Sequence, residues 1–385
     1  MRNPEKELLT ILRETGVNFT ASLPCEKIKV LLEMVEELFF HVPLTREEEG
    51  VGICAGAALS GKKPAMFVQS SGLGNMINAL LSLTSFYRLP LALFVSQRGI
   101  YKEKIAAQLP MGQRLPAILK GSGIPCSLIS TSEDFKLIQK KLPDVYRQGN
   151  IHAFLLNPSI WEDSEAKSRQ DADQRIAPPC GYLTGSFSDR DTSATAGQLK
   201  PKFKRYEILK IISPHLKSKA VVCNLGFPSK ELYSTGHQPS YFYMLGSMGM
   251  ATPIGLGASL TNNKEVVVID GDGSLLMNPG TLATAANFGP ANLTIFAVDN
   301  GSYGSTGDQP TLAGTCVDLE AVARGFGIRD TLKVSTKKQL IDAIKKSGNG
   351  LRLIHALALP GNADVPSIPV SHLEIKKQFA DFLKS

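Results

Sequence analysis

The chain alternates short apolar, often β-branched runs with longer stretches of helical period, and it does so twice. In the first stretch Asn3-Pro4, an N-cap with a first-turn proline, opens a helix that runs to Gly16. The segments "VNFTASL", "FFHVPL", "PAMFVQS", "LPLALFVS", "CSLIS" and "HAFLLN" read as strands. Between them lie helices through "EKIKVLLEMVEEL", "EEEGVGICAGAAL" and "NMINALLSL", then near 111–121 and 132–147. Repeated βα units of this kind predict a parallel sheet with helices on both faces. Residues 158–202 break the pattern: they are polar, rich in Ser and Asp, and read as a linker. From Tyr206 the alternation resumes, with "AVVCNL", "YFYM", "EVVVID", "NLTIFAVD" and "LRLIHALAL" as strands and helices through "TPIGLGASL" and "LATAANF". The predicted architecture is α/β: two doubly wound parallel-sheet domains, 1–157 and 203–385, joined by a polar linker at 158–202 with no central domain.

Composition narrows the class. A chain of 385 residues with 43% hydrophobic and 20% charged residues has the make-up of a globular protein of two ordinary domains. No apolar run has the length of a membrane span, and "MRNPEKELL" does not read as a signal peptide, so a cytosolic location is expected. The net charge of +7 suits an anionic ligand or a solvated basic surface. The absence of an arginine–aromatic stripe argues against nucleic acid. Six dispersed cysteines without a CxxC pair read as reduced thiols and not as a zinc site.

The candidate chemistry begins at "EVVVIDGDGSL", residues 265–275, where a buried strand stops at two acids set among glycines. An ionised carboxylate there is costly unless paired, hydrogen-bonded or bound to a metal. Ser274 and Leu275 break the calcium-loop pattern, and Asp270 alone suits a helix cap. Twenty-eight residues after Asp272, a second buried strand ends in Asp299-Asn300-Gly301. Loops after strand C-termini line the ligand crevice of a parallel sheet, so Asp272 and Asn300 can meet at one site. With a backbone carbonyl, assigned to Ser302, they form a hard oxygen set for Mg²⁺ bridging to a diphosphate. A helix expected from Ser274 would offer N-terminal amides to phosphate, with Gly271 and Gly273 giving close approach. "QSSGLGN", residues 69–75, mimics a dinucleotide fingerprint but has Ile77 in place of the third glycine and lacks the ribose acid. A dinucleotide-binding oxidoreductase or regulatory binding module is the alternative from another class.

GDG followed by a strand and Asn at this distance resembles the motif of thiamine diphosphate-dependent decarboxylases. The match extends to "GSMGMATPIGLGA", residues 246–258. By that resemblance Met248 is the wedge under the bent cofactor, the Gly246 carbonyl accepts from the 4′-amino group, and Ser247 completes the turn. The resemblance also requires a glutamate against pyrimidine N1′, nine residues before a helix glycine. Gly56 in "REEEGVGICAGAAL" makes this Glu47, with Glu48 as the fallback. "SGLGN" is similar to the segment of the sulfopyruvate and phosphonopyruvate branch that faces a partner domain, which makes Asn75 and Ser71 candidate contacts. The branch implies non-oxidative decarboxylation of 3-sulfopyruvate to sulfoacetaldehyde and CO₂, as in coenzyme M biosynthesis of methanogenic archaea, with phosphonopyruvate as the alternative substrate. It also implies a homodimer or homotetramer with sites at the subunit interface, in a fused form of what is often two subunits. Asp299 departs from the family's Asn, and the adjacent histidine pair of pyruvate decarboxylases is absent among His41, His152, His215, His237, His355 and His372. His41 and His237 are then the candidate proton donors. Arg98, after the strand "LALFVS", is the candidate sulfonate fork, with Arg46, Arg88 and Lys230 as rivals.

Overall fold

The computed structural model describes residues 3–166 and 199–385; most of the expected linker, residues 167–198, lies outside them. In the first half, β1 (Phe19–Ser22), β2 (His41–Pro43), β3 (Pro64–Gln69), β4 (Leu91–Ser96), β5 (Cys126–Ile129) and β6 (Ile151–Leu156) form a sheet in the order β2-β1-β3-β4-β6-β5. In the second half, β7 (Ala220–Cys223), β8 (Tyr241–Tyr243), β9 (Val266–Gly271) and β10 (Leu293–Asp299) precede a small antiparallel pair, β11 (Ser302–Tyr303) with β12 (Gln309–Pro310). β13 (Asp330–Val334) and β14 (Arg352–Leu357) complete the second sheet, ordered β13-β14-β10-β9-β7-β8. All pairings in both large sheets are parallel. Counted within its own half, each sheet has the same order, 2-1-3-4-6-5. The central strands β4, β6 and β10 are buried along their whole length. Their continuous apolar runs follow from having a layer on each face.

The halves meet through two topologically equivalent helices. Glu47–Leu59 follows β2 and Ala251–Thr261 follows β8, each leading into the third strand of its sheet. Small residues let the backbones touch. A Cβ on Gly56 would lie 2.1 Å from the Ile254 carbonyl oxygen, and one on Gly257 would lie 2.0 Å from that of Ile53. Gly52 is pressed in the same way against the Pro253 ring. Neither helix has a polar face to spare, because one side meets its own sheet and the other meets the opposite half.

Several expectations are corrected. His41 opens β2 and does not close it. The helix after Asp270-Gly271 starts at Asp272 and lasts only to Leu275; a separate helix, Gly280–Phe288, follows. "NMINALLSL" is a short turn at Ile77–Ala79 that continues as a π-helix over Leu80–Ser85. β13 and the C-terminal helix His372–Lys384 add to the expected elements. Among the described residues no helix is long and apolar enough to cross a membrane. Cys25, Cys54, Cys126, Cys223 and Cys316 are free thiols, and burial pushes those of Cys54 and Cys223 up.

Candidate active site

The second sheet changes direction of winding between β7 and β9, and the loops leaving their C-terminal ends part there. The cavity at this point is lined by Asn224 and Leu225 after β7, Gly271 to Ser274 after β9, and Asn300 and Ser302 after β10, with Met248 on its wall. This is where a doubly wound sheet places its ligand.

The two acids of the GDG turn have separate occupations. Asp270 points into the core and accepts from Thr252 Oγ1 (2.7 Å) and the Gly271 N–H (2.9 Å), tying β9 to the first turn of the helix Ala251–Thr261. Asp272 lines the cavity and accepts from Thr311 Oγ1. Burial, together with the like charge of Asp299, pushes its carboxyl up to about 6. Asn300 spends its Nδ2 on Ser302 Oγ (3.2 Å), which leaves the amide oxygen for a cation. Asp299, beside Asp272, accepts from the Gly301 N–H (3.0 Å) and pairs with His355 Nε2 (2.8 Å). A Cβ on Gly273 would sit 2.3 Å from the Tyr303 ring, so a larger residue there would have to push that ring aside.

This donor set fits Mg²⁺ with a diphosphate. One buried carboxylate and one amide oxygen are too few to complete an octahedron, and Mg²⁺ commonly takes its remaining ligands from phosphate and water. The short Asp272–Leu275 turn places the Gly273 and Ser274 backbone on the same cavity wall.

Gly246 and Ser247 lie next to Met248 in the turn after β8, with Ser247 held at φ +60°. Glu47 is the first residue of its helix and is buried. It accepts from Asn75 Nδ2 (3.1 Å), and a Cβ on Gly72 would lie 2.3 Å from its Oε1. Ser71 is half-buried in the five-residue helix Ser70–Gly74. That element is a single short turn, whereas a dinucleotide fold would open a long helix here. Arg98 does not present a free fork: its Nε and Nη2 donate to Glu103 (2.6 and 2.8 Å) in a buried pair. Arg98 and two backbone N–H groups hold the Glu103 carboxyl down at about 2. His41 lies between Thr20 Oγ1 (2.9 Å) and Ser22 Oγ (3.1 Å), and burial lowers its pKa to about 4. His237 lies between Tyr243 Oη (3.2 Å) and Gln378 Oε1 (3.0 Å). None of Glu47, Ser71, Asn75, Arg98, His41 and His237, nor the rivals Arg46, Arg88 and Lys230, lines the Asp272 cavity.

Sequence reasoning missed Thr311 and Arg205. Thr311 reaches Asp272 from a loop 39 residues away. Arg205 lines the cavity while donating to Glu231 (2.8 and 3.0 Å) and Asn362 (2.8 Å). No local motif marks either residue; only the fold brings them in.

Residues 225–356 match the family described as thiamine pyrophosphate enzyme, C-terminal TPP binding domain. Sulfopyruvate decarboxylase of Methanosarcina acetivorans is 44% identical over 383 residues, covering 99% of this chain and 98% of that protein. Phosphonopyruvate decarboxylase of Streptomyces viridochromogenes is 32% identical over 398 residues, covering 98% and 94%. Among solved structures, benzoylformate decarboxylase from Polynucleobacter necessarius superposes with a TM-score of 0.69, covering 94% of this chain and 100% of that one, at 14% identity, a likeness of fold. The chain therefore belongs to the thiamine diphosphate-dependent decarboxylase family that contains the sulfopyruvate and phosphonopyruvate decarboxylases.

Proposed function

We propose that this carboxy-lyase decarboxylates 3-sulfopyruvate, releasing CO₂ and taking up one proton to give sulfoacetaldehyde, in the cytosol and on the route to coenzyme M. The observation that carries the substrate is 44% identity to a sulfopyruvate decarboxylase over essentially the whole of both chains. The phosphonopyruvate enzyme is the more distant relative, at 32%.

When bound, thiamine diphosphate supplies the electron sink that decarboxylation of a 2-oxo acid needs. The chain's residues bind and orient. Asp272, Asn300 and the Ser302 backbone would hold Mg²⁺, and Gly271, Gly273 and Ser274 would let the backbone approach the diphosphate. Met248 would pack against the cofactor, the Gly246 carbonyl would accept from its 4′-amino group, and Glu47 would hold the proton at N1′. Asn75, which donates to Glu47, would contact the cofactor, and Ser71 the substrate. Because His41 and His237 are hydrogen-bonded inside their own halves, we assign proton transfer to Glu47. Arg98, paired with Glu103, is assigned to holding the loop after β4 and not to the sulfonate.

In this reading residues 1–157 are the pyrimidine-binding half, 203–385 the diphosphate-binding half and 158–202 the link between them. Among the described residues the cavity is lined by the second half, which supports a homodimer in which the partner's first half completes each site. The test compares kcat/KM for sulfopyruvate, phosphonopyruvate and pyruvate with thiamine diphosphate and Mg²⁺. Sulfopyruvate is expected to lead clearly; equal or better turnover of phosphonopyruvate would overturn the substrate. Arg98→Ala is expected to impair all three alike; a loss confined to sulfopyruvate would return Arg98 to the substrate.

A further inference from the structure

We propose that Tyr87 and Ser82, both in the first half, are positioning residues for the turn at 245–249 that carries Met248, an inference that rests on reading that turn as the cofactor's support. The turn is held by hydrogen bonds from both halves. The Leu245 N–H donates to Tyr87 Oη (2.9 Å), and the same hydroxyl donates to the Tyr243 carbonyl (3.0 Å). Ser82 Oγ and Ser247 Oγ share a hydrogen bond at 2.6 Å. On the far side the Gly249 N–H donates to Ser274 Oγ (3.1 Å), and Asn278 Nδ2 reaches the Gly249 carbonyl (3.4 Å). Ser274 lines the cavity, so the second half fixes one end of the turn to the diphosphate wall. The first half fixes the other.

Two features show that the first-half contacts set the shape of the turn. Ser247 is a non-glycine residue at φ +60°, a conformation that persists only where its surroundings over-determine it. Gly246 lies so close to the π-helix that a Cβ would meet the Ser82 carbonyl oxygen at 3.0 Å. Tyr87 is itself immobile: fully buried, edge-on to Phe86 (5.0 Å between centroids) and packed on Phe242 (4.8 Å). Burial pushes its phenol up, so it stays a neutral hydroxyl. A phenol has one proton to donate, and here it is given to Tyr243 while the oxygen receives Leu245. The hydroxyl thus clamps both sides of Met244, and its proton is not available to a ligand. Its effect on the chemistry passes through the Gly246 carbonyl, one residue beyond the clamp.

The experiment uses full-length protein loaded with thiamine diphosphate and Mg²⁺. Tyr87→Phe keeps the ring and removes only the clamp; Ser82→Ala removes the second contact. Each variant is measured by near-ultraviolet circular dichroism of the bound cofactor, by NMR exchange of the cofactor C2 proton, and by kcat and KM. Tyr87→Phe is expected to retain cofactor, change the dichroism band and slow C2 exchange and kcat by about tenfold or more, with KM little changed, because small misplacements of reacting groups carry such losses. Ser82→Ala is expected to show the same pattern at about threefold. Dichroism and exchange matching wild type, with only the melting temperature lowered, would overturn the proposal by reducing Tyr87 to a packing residue. Should Tyr87→Phe not fold, unchanged exchange in Ser82→Ala overturns it on its own. Failure of the underlying reading looks different: wild-type protein would then show no Mg²⁺-dependent cofactor dichroism at all.

Discussion

Glu47, Glu48 and Glu49 are consecutive acids with three different occupations. Glu49 caps its own helix, accepting from the Thr45 N–H (2.6 Å) and Oγ1 (2.8 Å), and crosses to Thr284 Oγ1 (3.0 Å). Glu48 lies between Arg46 (3.8 Å) and Asn278 of the other half (3.4 Å). Only Glu47 faces the SGLGN turn, through Asn75. Adding a methyl at Gly72 therefore tests it without replacing the acid. Gly72→Ala is expected to fold and bind cofactor but to slow C2-proton exchange at least about tenfold by displacing the carboxylate; wild-type exchange by NMR would contradict the assignment of Glu47. A second residue-scale prediction concerns acid. Burial lowers His152, hydrogen-bonded to Ser127 Oγ at 2.9 Å, to about 4. Its folded pKa lies below the unfolded value, so the stability it lends is present above about 6.5 and is lost as pH falls toward 4. His41 acts in the same direction. The drop in melting temperature between about pH 7 and pH 5 should shrink in His152→Gln. At this scale Asp272 and Asn300 were legible because strand ends in a parallel sheet converge. Thr311 and Tyr87 were not, since their partners lie 39 and more than 150 residues away and no local pattern encodes the pairing.

Among elements, the contact between Glu47–Leu59 and Ala251–Thr261 depends on absent side chains. Gly56→Ala would force a Cβ to within 2.1 Å of a backbone oxygen, and backbone cannot rotate out of the way as a side chain can. The helices must separate, at about 1–3 kcal/mol by comparison with overpacked cores. Gly121→Ala is the control: a Cβ there meets nothing within 4 Å, at the end of the helix Leu109–Gly121. Urea unfolding should show a loss for the first substitution and none for the second; equal stability would mean that the halves do not rely on this joint. Most strands could be read from their continuous apolar runs. β13 could not, because its residues are mostly half- or fully exposed at the edge of the sheet and its run "DTLKV" is half polar. The brevity of the turn after GDG was also hidden, since "SLLMNPG" has helical residues up to Asn278-Pro279 and only Pro279 marks the break.

At the scale of the whole molecule, the chain builds one topology twice and uses the copies differently. The second sheet's point of divergence holds the residues proposed for the cation and diphosphate, and the first half carries Glu47. The joint is wide: the C-terminal helix crosses to the first half through stacking of His372 on Phe86 (4.3 Å) and a Lys376 Nζ hydrogen bond to the Arg88 carbonyl (2.6 Å). If each site takes Glu47 from a partner, mixing Glu47→Gln chains with Asp272→Ala chains should restore activity. A mixed dimer would carry one intact site and one doubly damaged one. Absence of recovery, with exchange of subunits confirmed by mass, would mean that each chain completes its own site. Two α/β halves were evident from the alternation alone. Their identical strand order and the docking of equivalent helices were not, because the order is set by non-consecutive strand pairing within each half and the docking joins segments more than 190 residues apart.

The π-helix at Leu80–Ser85 makes the phase of Ser82 and Tyr87 a matter of residue count. A wide turn of this kind spends an extra residue per turn relative to an α-helix. Deleting Leu81, which is 37% exposed, would remove that extra residue and let the segment rewind as an α-helix with Tyr87 close to its present phase. Replacing Leu81 with alanine would leave the count intact. The deletion is thus expected to keep the cofactor's dichroism band, as the substitution does, whereas inserting one residue after Leu81, which turns Tyr87 by about 100°, is expected to abolish it, so this segment should tolerate shortening by one residue better than lengthening.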